Sequence, residues 1–346
     1  MLVQTVGMVV QRDEWGGDAQ RVLVNLDPTD DDAVVPALNY AVLTGPIEIN
    51  DQVQVNITAQ VLHLGTGGVG FVSANLTRPK QGDRGTSLRS KGHIIKARYL
   101  PCQHAVLTLE EQEQYADVWE HTLDNMPVLV GQLHSQIAPA AAGLHLRGKG
   151  RVAYIMTDGA ALMAGFSRLV GALQDANLLH AVLTCGQASG GDYETVTLHS
   201  ALLAAKHIAQ CDAAIVCQGP GNAGTGTKYG FSGIEQAQNL DIVKALGGIA
   251  IAIVRMSDAD ARPRHQGVSH HTRTSLDLAY ARCLVPVPAG ADTTTLPPGH
   301  DIREVEGTQA ALDLLTERNI TVTTMGRTPA QDPLFFHAAA AAGLAA

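Results

Sequence analysis

From residue 151 onward the chain repeats one unit, a continuously apolar run followed by a segment of helical composition. The runs are RVAYIM, HAVLTC, CDAAIVC, GIAIAIVRM, CLVPVPA and ITVTTM, with helical segments near 160–177, 193–210, 233–246, 271–282 and 308–318. A strand covered on both faces is apolar throughout, whereas a half-exposed strand alternates. Apolar strands alternating with helices predict βαβ units. The expectation for 150–328 is therefore an α/β, Rossmann-like domain with a doubly wound, mostly parallel sheet.

Residues 1–100 read differently. QRVLVNL, PALNYAVL, DQVQVNITAQVLHL, GFVSANL and GHIIKARY are rich in Val, Ile, Thr and Tyr and partly alternate. Turn pairs such as Asp27-Pro28, Gly45-Pro46, Asn50-Asp51 and Gly67-Gly68 separate the first four. Short strands with close turns predict a small N-terminal β-barrel or sandwich. In GHIIKARY, alternation puts His93, Ile95, Ala97 and Tyr99 on one face. Residues 101–149 read as a helical linker, with an apolar stripe along TLEEQEQYADVWEHTL and a capping box from Thr108 to Glu111. The Ala-rich tail 329–346 reads as a frayed or packing helix.

The 346 residues suit two domains, and a hydrophobic share of 45% with 16% charged residues supplies buried cores. A net charge of −9 argues against nucleic acid or an anionic membrane surface as partner. The five cysteines are odd in number and show no C-x-x-C spacing, which fits free thiols in a reducing cytoplasm. The opening MLVQTVGMVV lacks a basic n-region, and no apolar run reaches the ~20 residues of a spanning helix. A cytoplasmic protein is the expectation, with a homodimer left open by the Ala-rich helices.

Open α/β sheets bind ligands at the carboxyl ends of their strands. Four polar or glycine-rich segments follow predicted strands here: 156–162, 184–194, 219–233 and 255–273. The helix-to-strand connections are shorter and plainer, so chemistry is expected on the first edge. GPGNAGTGTKYGFSG at 219–233 matches G-x-G-x-x-G, yet Ser232 and Glu235 frame a capping box that starts the helix well beyond Gly224. Asp241 falls inside that helix, not at the end of a following strand, and Lys228 is followed by Tyr229, not Ser or Thr. A dinucleotide or P-loop reading is therefore rejected. The stretch reads as a backbone-exposing wall in which Gly219, Gly221, Gly224, Gly226 and Lys228 contact an anion.

Segment 255–273 holds Arg255, Arg262, Arg264 and Arg273 with His265, His270 and His271, opposed only by Asp258 and Asp260. Guanidinium groups bind carboxylate or phosphate bidentately. Arg262, Arg264, His265 and Arg273 are the further ligand-binding candidates. Ser269 is placed to cap the next helix, which puts His270 and His271 in its first turn as neutral imidazoles. Neighbouring helical positions diverge, so one of the two is expected in a site. Asp158, directly after a strand, and Asp192, after two glycines, are the carboxylate candidates for catalysis, with an N-cap as the plainer alternative. A divalent metal on Asp158, Asp192, Asp258, His265 and His270 or His271 is left open without a ligand-spacing motif. No G-x-S-x-G elbow occurs.

The segments MTDGAALM, GGDYETVTLHSALLAAKH, GPGNAGTGTKYGFSGIEQ, RHQGVSHHTRT, GTGGVGFVSANL and KGHIIKARY resemble a bacterial family known only as domain of unknown function 3866. The resemblance covers nearly the whole chain. It implies a soluble bacterial protein of this length and carries no reaction, cofactor or catalytic residue. The residues themselves favour an enzyme acting on a small phosphorylated or carboxylated metabolite by acid/base or metal-assisted chemistry. A non-catalytic anion- or nucleotide-binding or assembly protein is the alternative.

Overall fold

The computed structural model describes residues 1–30, 32–64, 68–79 and 92–346. The chain forms two compact units, Met1–Leu107 with Gly165–Arg168, and Thr108–Ala164 with Leu169–Ala346.

The first unit is built on a closed barrel. Its strands are β1 (Gln4–Gly16), β2 (Ala19–Asn25), β3 (Val34–Tyr40), β4 (Gln52–Asn56) and β5 (Gly70–Asn75), in the order β1-β2-β3-β5-β4. Single turns α1 (Ala41–Thr44) and α2 (Thr58–Val61) cut short the two longer expected strands. Val9, Val22, Val24, Val53, Val55 and Val72 point inward and form its core. Their i, i+2 spacing is the alternation that predicted strands here. The longest strand, β1, lies outside the segments expected to be strands. It pairs with β2 on one side and β4 on the other, and so closes the barrel. GHIIKARY is a strand only at β6 (Ile94–Lys96), which pairs with β7 (His104–Val106) in a separate ribbon. Its predicted alternation fails because Ala97 and Tyr99 take left-handed backbone angles, φ 50° and 65°. The Gly67 half of the Gly67-Gly68 turn lies outside the described residues.

The second unit carries an eight-stranded, all-parallel sheet. Its strands are β8 (Pro127–Val130), β9 (Val152–Thr157), β10 (Ala181–Thr184), β11 (Tyr193–Glu194), β12 (Ala213–Gln218), β13 (Ile249–Ala252), β16 (Leu284–Pro288) and β17 (Asp301–Val305). Between the sixth and seventh of these, β14 (Met256–Ser257) and β15 (Gly267–Val268) make a small antiparallel ribbon. The sheet order is β11-β10-β9-β12-β8-β13-β16-β17. Helices α3 (Ile137–Leu146), α4 (Arg168–Asp175), α8 (Gln309–Glu317) and α9 (Pro333–Leu344) supply one apolar layer. Helices α5 (Leu198–His207), α6 (Gln236–Ala245) and α7 (His270–Leu278) supply the other. Successive residues divide between the layers: Val128 and Val130 face one, Leu129 the other. Both faces are buried, which is why these strands read as unbroken apolar runs.

Three expectations are corrected. The supposed linker 101–149 contributes β8, a central strand, and α3, a core helix. Its Leu109–Glu111 and Glu113–Glu120 segments are 3₁₀ turns, with Glu111 Oε2 accepting the Thr108 N–H at 3.0 Å. ITVTTM is not a sheet strand; the sheet position is taken by β17, whose charged, exposed residues carry no apolar signal. The Ala-rich tail is a packing helix, the second of the two expected forms: α9 is buried against α3 by the approach of two glycines. A Cβ on Gly143 would lie 2.6 Å from Ala340 O, so only a hydrogen fits between these helices.

Candidate functional site

The sheet order places the reversal of chain direction at its middle. From β9 the chain winds outward to β10 and β11, returns to β12 beside β8, then crosses to β13 and winds out the other way. Ligands bind outside the carboxyl ends of strands at such a switch point. The segments leaving the neighbouring strands β12, β8 and β13 border one cleft of about 410 Å³. Leu133, His134 and Ser135 follow β8; Gly221, Asn222 and Gly224 follow β12; Arg255, Arg262, Arg264, His265 and His271 follow β13 or open α7. Residues 321–325, the ITVTTM segment, border the same cleft.

The arginines are held by two buried carboxylates. Asp260 Oδ2 lies 2.8 Å from Arg262, 3.5 Å from Arg255 and 3.6 Å from Arg327. Asp332, fully buried, accepts from Arg327 Nε at 3.0 Å and from Ser257 Oγ at 2.8 Å. The hydrogen bonds from Arg262 hold the Asp260 carboxyl well below the usual range. Arg264 lines the cleft and makes no ion pair among the described residues. Four guanidinium groups thus face two carboxylates, which leaves a positive excess.

Three imidazoles stand against this frame. His265, His270 and His271 place a ring nitrogen each within 4.8 Å of one another. Ser269 Oγ accepts the His271 N–H at 3.2 Å, the helix cap expected from sequence, and lies 2.8 Å from His265 Nδ1. His271 is buried, stacked on Phe231, with its Nδ1 3.2 Å from Arg255 Nη1. A guanidinium can only donate, so Nδ1 accepts and the proton of the neutral ring sits on Nε2. That Nε2 is buried and has no acceptor among the described residues. Burial, then the positive charge of Arg255, pushes His271 down to about 2 and His265 down to about 3. His270 is lowered by burial and by Arg264.

A divalent cation fits this group poorly. Nε2 of His271 has no lone pair while Arg255 occupies Nδ1, and the surrounding guanidinium groups repel a cation. Asp158, Asp192 and Asp258 are not part of the histidine group.

The structure distributes the remaining candidates as follows. Gly221, Gly224, Arg262, Arg264, His265 and His271 line the cleft. His270 packs 4.3 Å from the His271 ring centroid without lining it, and Arg273 lies one turn further along α7. Gly219 backs onto Ala161 O, Gly226 has open space around it, and the Lys228 ammonium sits 5.2 Å over the Tyr229 ring. Asp158 accepts the Gln187 N–H at 2.9 Å. Asp192 accepts from Val182 N at 2.8 Å and Gln174 Nε2 at 3.0 Å, at the β10–β11 edge of the sheet. The predicted capping box of Ser232 and Glu235 does not form. Glu235 instead receives a hydrogen bond from Thr157 Oγ1, and Ser232 Oγ donates to Asn222 Oδ1 at 2.7 Å. Sequence reasoning passed over Asn222 within the glycine-rich stretch, and His134, Arg327 and 321–325, which reach the site from distant parts of the chain. Arg255 was visible in the loop composition alone.

Among the described residues no helix is long and apolar enough to cross a membrane. No curated protein matches the chain. The family model described as "Protein of unknown function (DUF3866)" matches residues 36–343, and the chain belongs to that family.

Proposed function

We propose that the second unit binds a small anionic metabolite, phosphorylated or carboxylated, in the cleft at the switch point of the sheet. The observation that carries this reading is the buried Nε2–H of His271, a donor beside Arg255 without an acceptor among the described residues. A buried donor left unpaired costs about 1–3 kcal/mol, and an anionic oxygen supplies the missing partner. Arg264 and Arg262 supply charge, and the hydroxyls of Ser135, Thr321, Thr323 and Thr324 add further polar groups to the lining. Leu133, Leu169 and Val322 offer an apolar wall for the rest of the molecule.

An enzyme reading places the neutral His271 as an electrophile that polarises an oxygen of the ligand, the use made of a neutral histidine elsewhere in catalysis. The binding-only reading has its own support: among the described residues that line the cleft none is Asp or Glu, so no carboxylate base stands there. Titration of the full chain with inorganic phosphate and sulfate by calorimetry tests the shared part. Binding lost in Arg264→Ala and His271→Phe is the expected result; unaltered binding in both removes the reading. Turnover of a bound phosphate ester by mass spectrometry then separates enzyme from binder.

A further inference from the structure

Gln218 and Glu235 meet at Gly159, beside the carboxyl ends of β9 and β12. A Cβ on Gly159 would lie 2.6 Å from Gln218 Oε1 and 3.0 Å from Glu235 Oε2, so the two oxygens crowd the same glycine. The orientation of the Gln218 amide is fixed by its other end. Its Nε2 donates to Gln132 O at 2.8 Å and to Asn222 Oδ1 at 3.1 Å, both acceptors. Oε1 is therefore the atom turned toward Gly159, where Glu235 Oε2 also lies, and it is buried and without a donor among the described residues.

Glu235 accepts one hydrogen bond among the described residues, on its other oxygen. Thr157 Oγ1 donates to its Oε1, and it makes no ion pair with a described residue. The titratable groups around it are Asp158, after β9, Tyr154 on β9, and Cys217 on β12. None is a cation, and His134, which contacts Tyr154 OH at 3.2 Å, is kept neutral by burial. Gln218 Oε1 is buried and both oxygens crowd Gly159, so an ionised Glu235 sets two acceptors beside one another, and one proton on Glu235 turns that conflict into a hydrogen bond.

We propose that Glu235 is a neutral carboxylic acid that donates from Oε2 to Gln218 Oε1, and that it is a positioning residue for the anion cleft through Gln218 and Asn222. The positioning role rests on the anion reading above; the protonated acid does not. Asn222 borders the cleft, and its Oδ1 collects hydrogen bonds from Gln218 Nε2, Ser232 Oγ and Gly233 N. Ionising Glu235 sets a charge against Gln218 Oε1 and favours rotation of the amide. Rotation withdraws the Nε2 donor from Asn222 and loosens the wall that follows β12. Burial pushes Glu235 up to about 7, with the Thr157 hydrogen bond acting in the opposite direction.

Infrared difference spectra of the full chain across pH 5–9, compared with Glu235→Gln, read the acid without any ligand. The expected result is a protonated-carboxyl band that disappears near neutrality and is absent from the variant. Thr157→Val, which removes the hydrogen bond favouring the anion, moves the midpoint upward and serves if the glutamine variant does not fold. A band that titrates in the ordinary glutamate range overturns the proposal. Sulfate, a dianion throughout, then reports the positioning role. Its affinity falls several-fold from pH 6 to pH 8.5 in the natural chain and stays level in Glu235→Gln. An equal fall in both overturns the link through Asn222. No sulfate binding at either pH, with the infrared transition intact, overturns the anion reading and the positioning role and leaves the buried acid standing.

Discussion

The ring of His271 lies face to face on that of Phe231, with centroids 3.7 Å apart and planes 4° from parallel. This contact joins the glycine-rich stretch after β12 to the Arg/His segment after β13, two regions that sequence alone could only suppose to be neighbours. It also fixes the imidazole in a plane, so that Nδ1 meets Arg255 and Nε2 has no acceptor among the described residues.

Phe231→Ala removes the stack and leaves a cavity beside a buried histidine. A loss of about 3–5 kcal/mol in denaturant unfolding is expected, as for other buried phenylalanines. Phe231→Tyr, which keeps the ring, loses far less.

Two charge changes in one cluster have opposite readouts. Asp260→Ala strands the buried Arg255, takes a partner from Arg262 and Arg327, and destabilises by about 3–5 kcal/mol. Arg264→Ala breaks no ion pair among the described residues, leaves the unfolding midpoint nearly unmoved, and weakens sulfate or phosphate binding by about tenfold or more. Calorimetry and chemical denaturation on the two variants check the pair.

The depressed histidines set a pH dependence with a definite sign. His265 and His271 stay neutral in the fold down to about 3 and about 2, whereas the unfolded chain protonates them near 6.5. Above 6.5 they have no effect. As pH falls below 6.5 the unfolded state takes up protons that the folded state refuses, so stability declines toward pH 3. In His265→Gln the decline is shallower, measured as unfolding free energy at pH 7, 5.5 and 4.5. An anion in the cleft raises both histidines, so sulfate flattens the same curve.

Gly143→Ala forces a methyl group against Ala340 O where α3 and α9 touch. Overpacking costs about 1–3 kcal/mol, and here the obstacle is backbone, which places the expected value at or above the top of that range. Thermal unfolding against the natural chain measures it.

Local pattern settled much of this protein. The apolar runs of β9, β10, β12, β13 and β16 announce strands covered on both faces, and the valine alternation of 20–26 and 53–55 announces a barrel wall. The polar segments after those strands, and Ser269 as the cap of α7, are equally local. What decides the site is strand order. Only the tertiary structure sets β12 between β9 and β8, and thereby brings residues near 134, 222, 264 and 323 to one cleft while leaving Asp192 at the sheet edge. Ser232 and Glu235 show the limit most plainly. Their spacing satisfies a capping box, but Thr157, distant in sequence, and Asn222, earlier in the same loop, compete for both side chains and win. Capping is a contact over three residues, whereas the choice between it and a buried hydrogen bond depends on what the fold brings alongside.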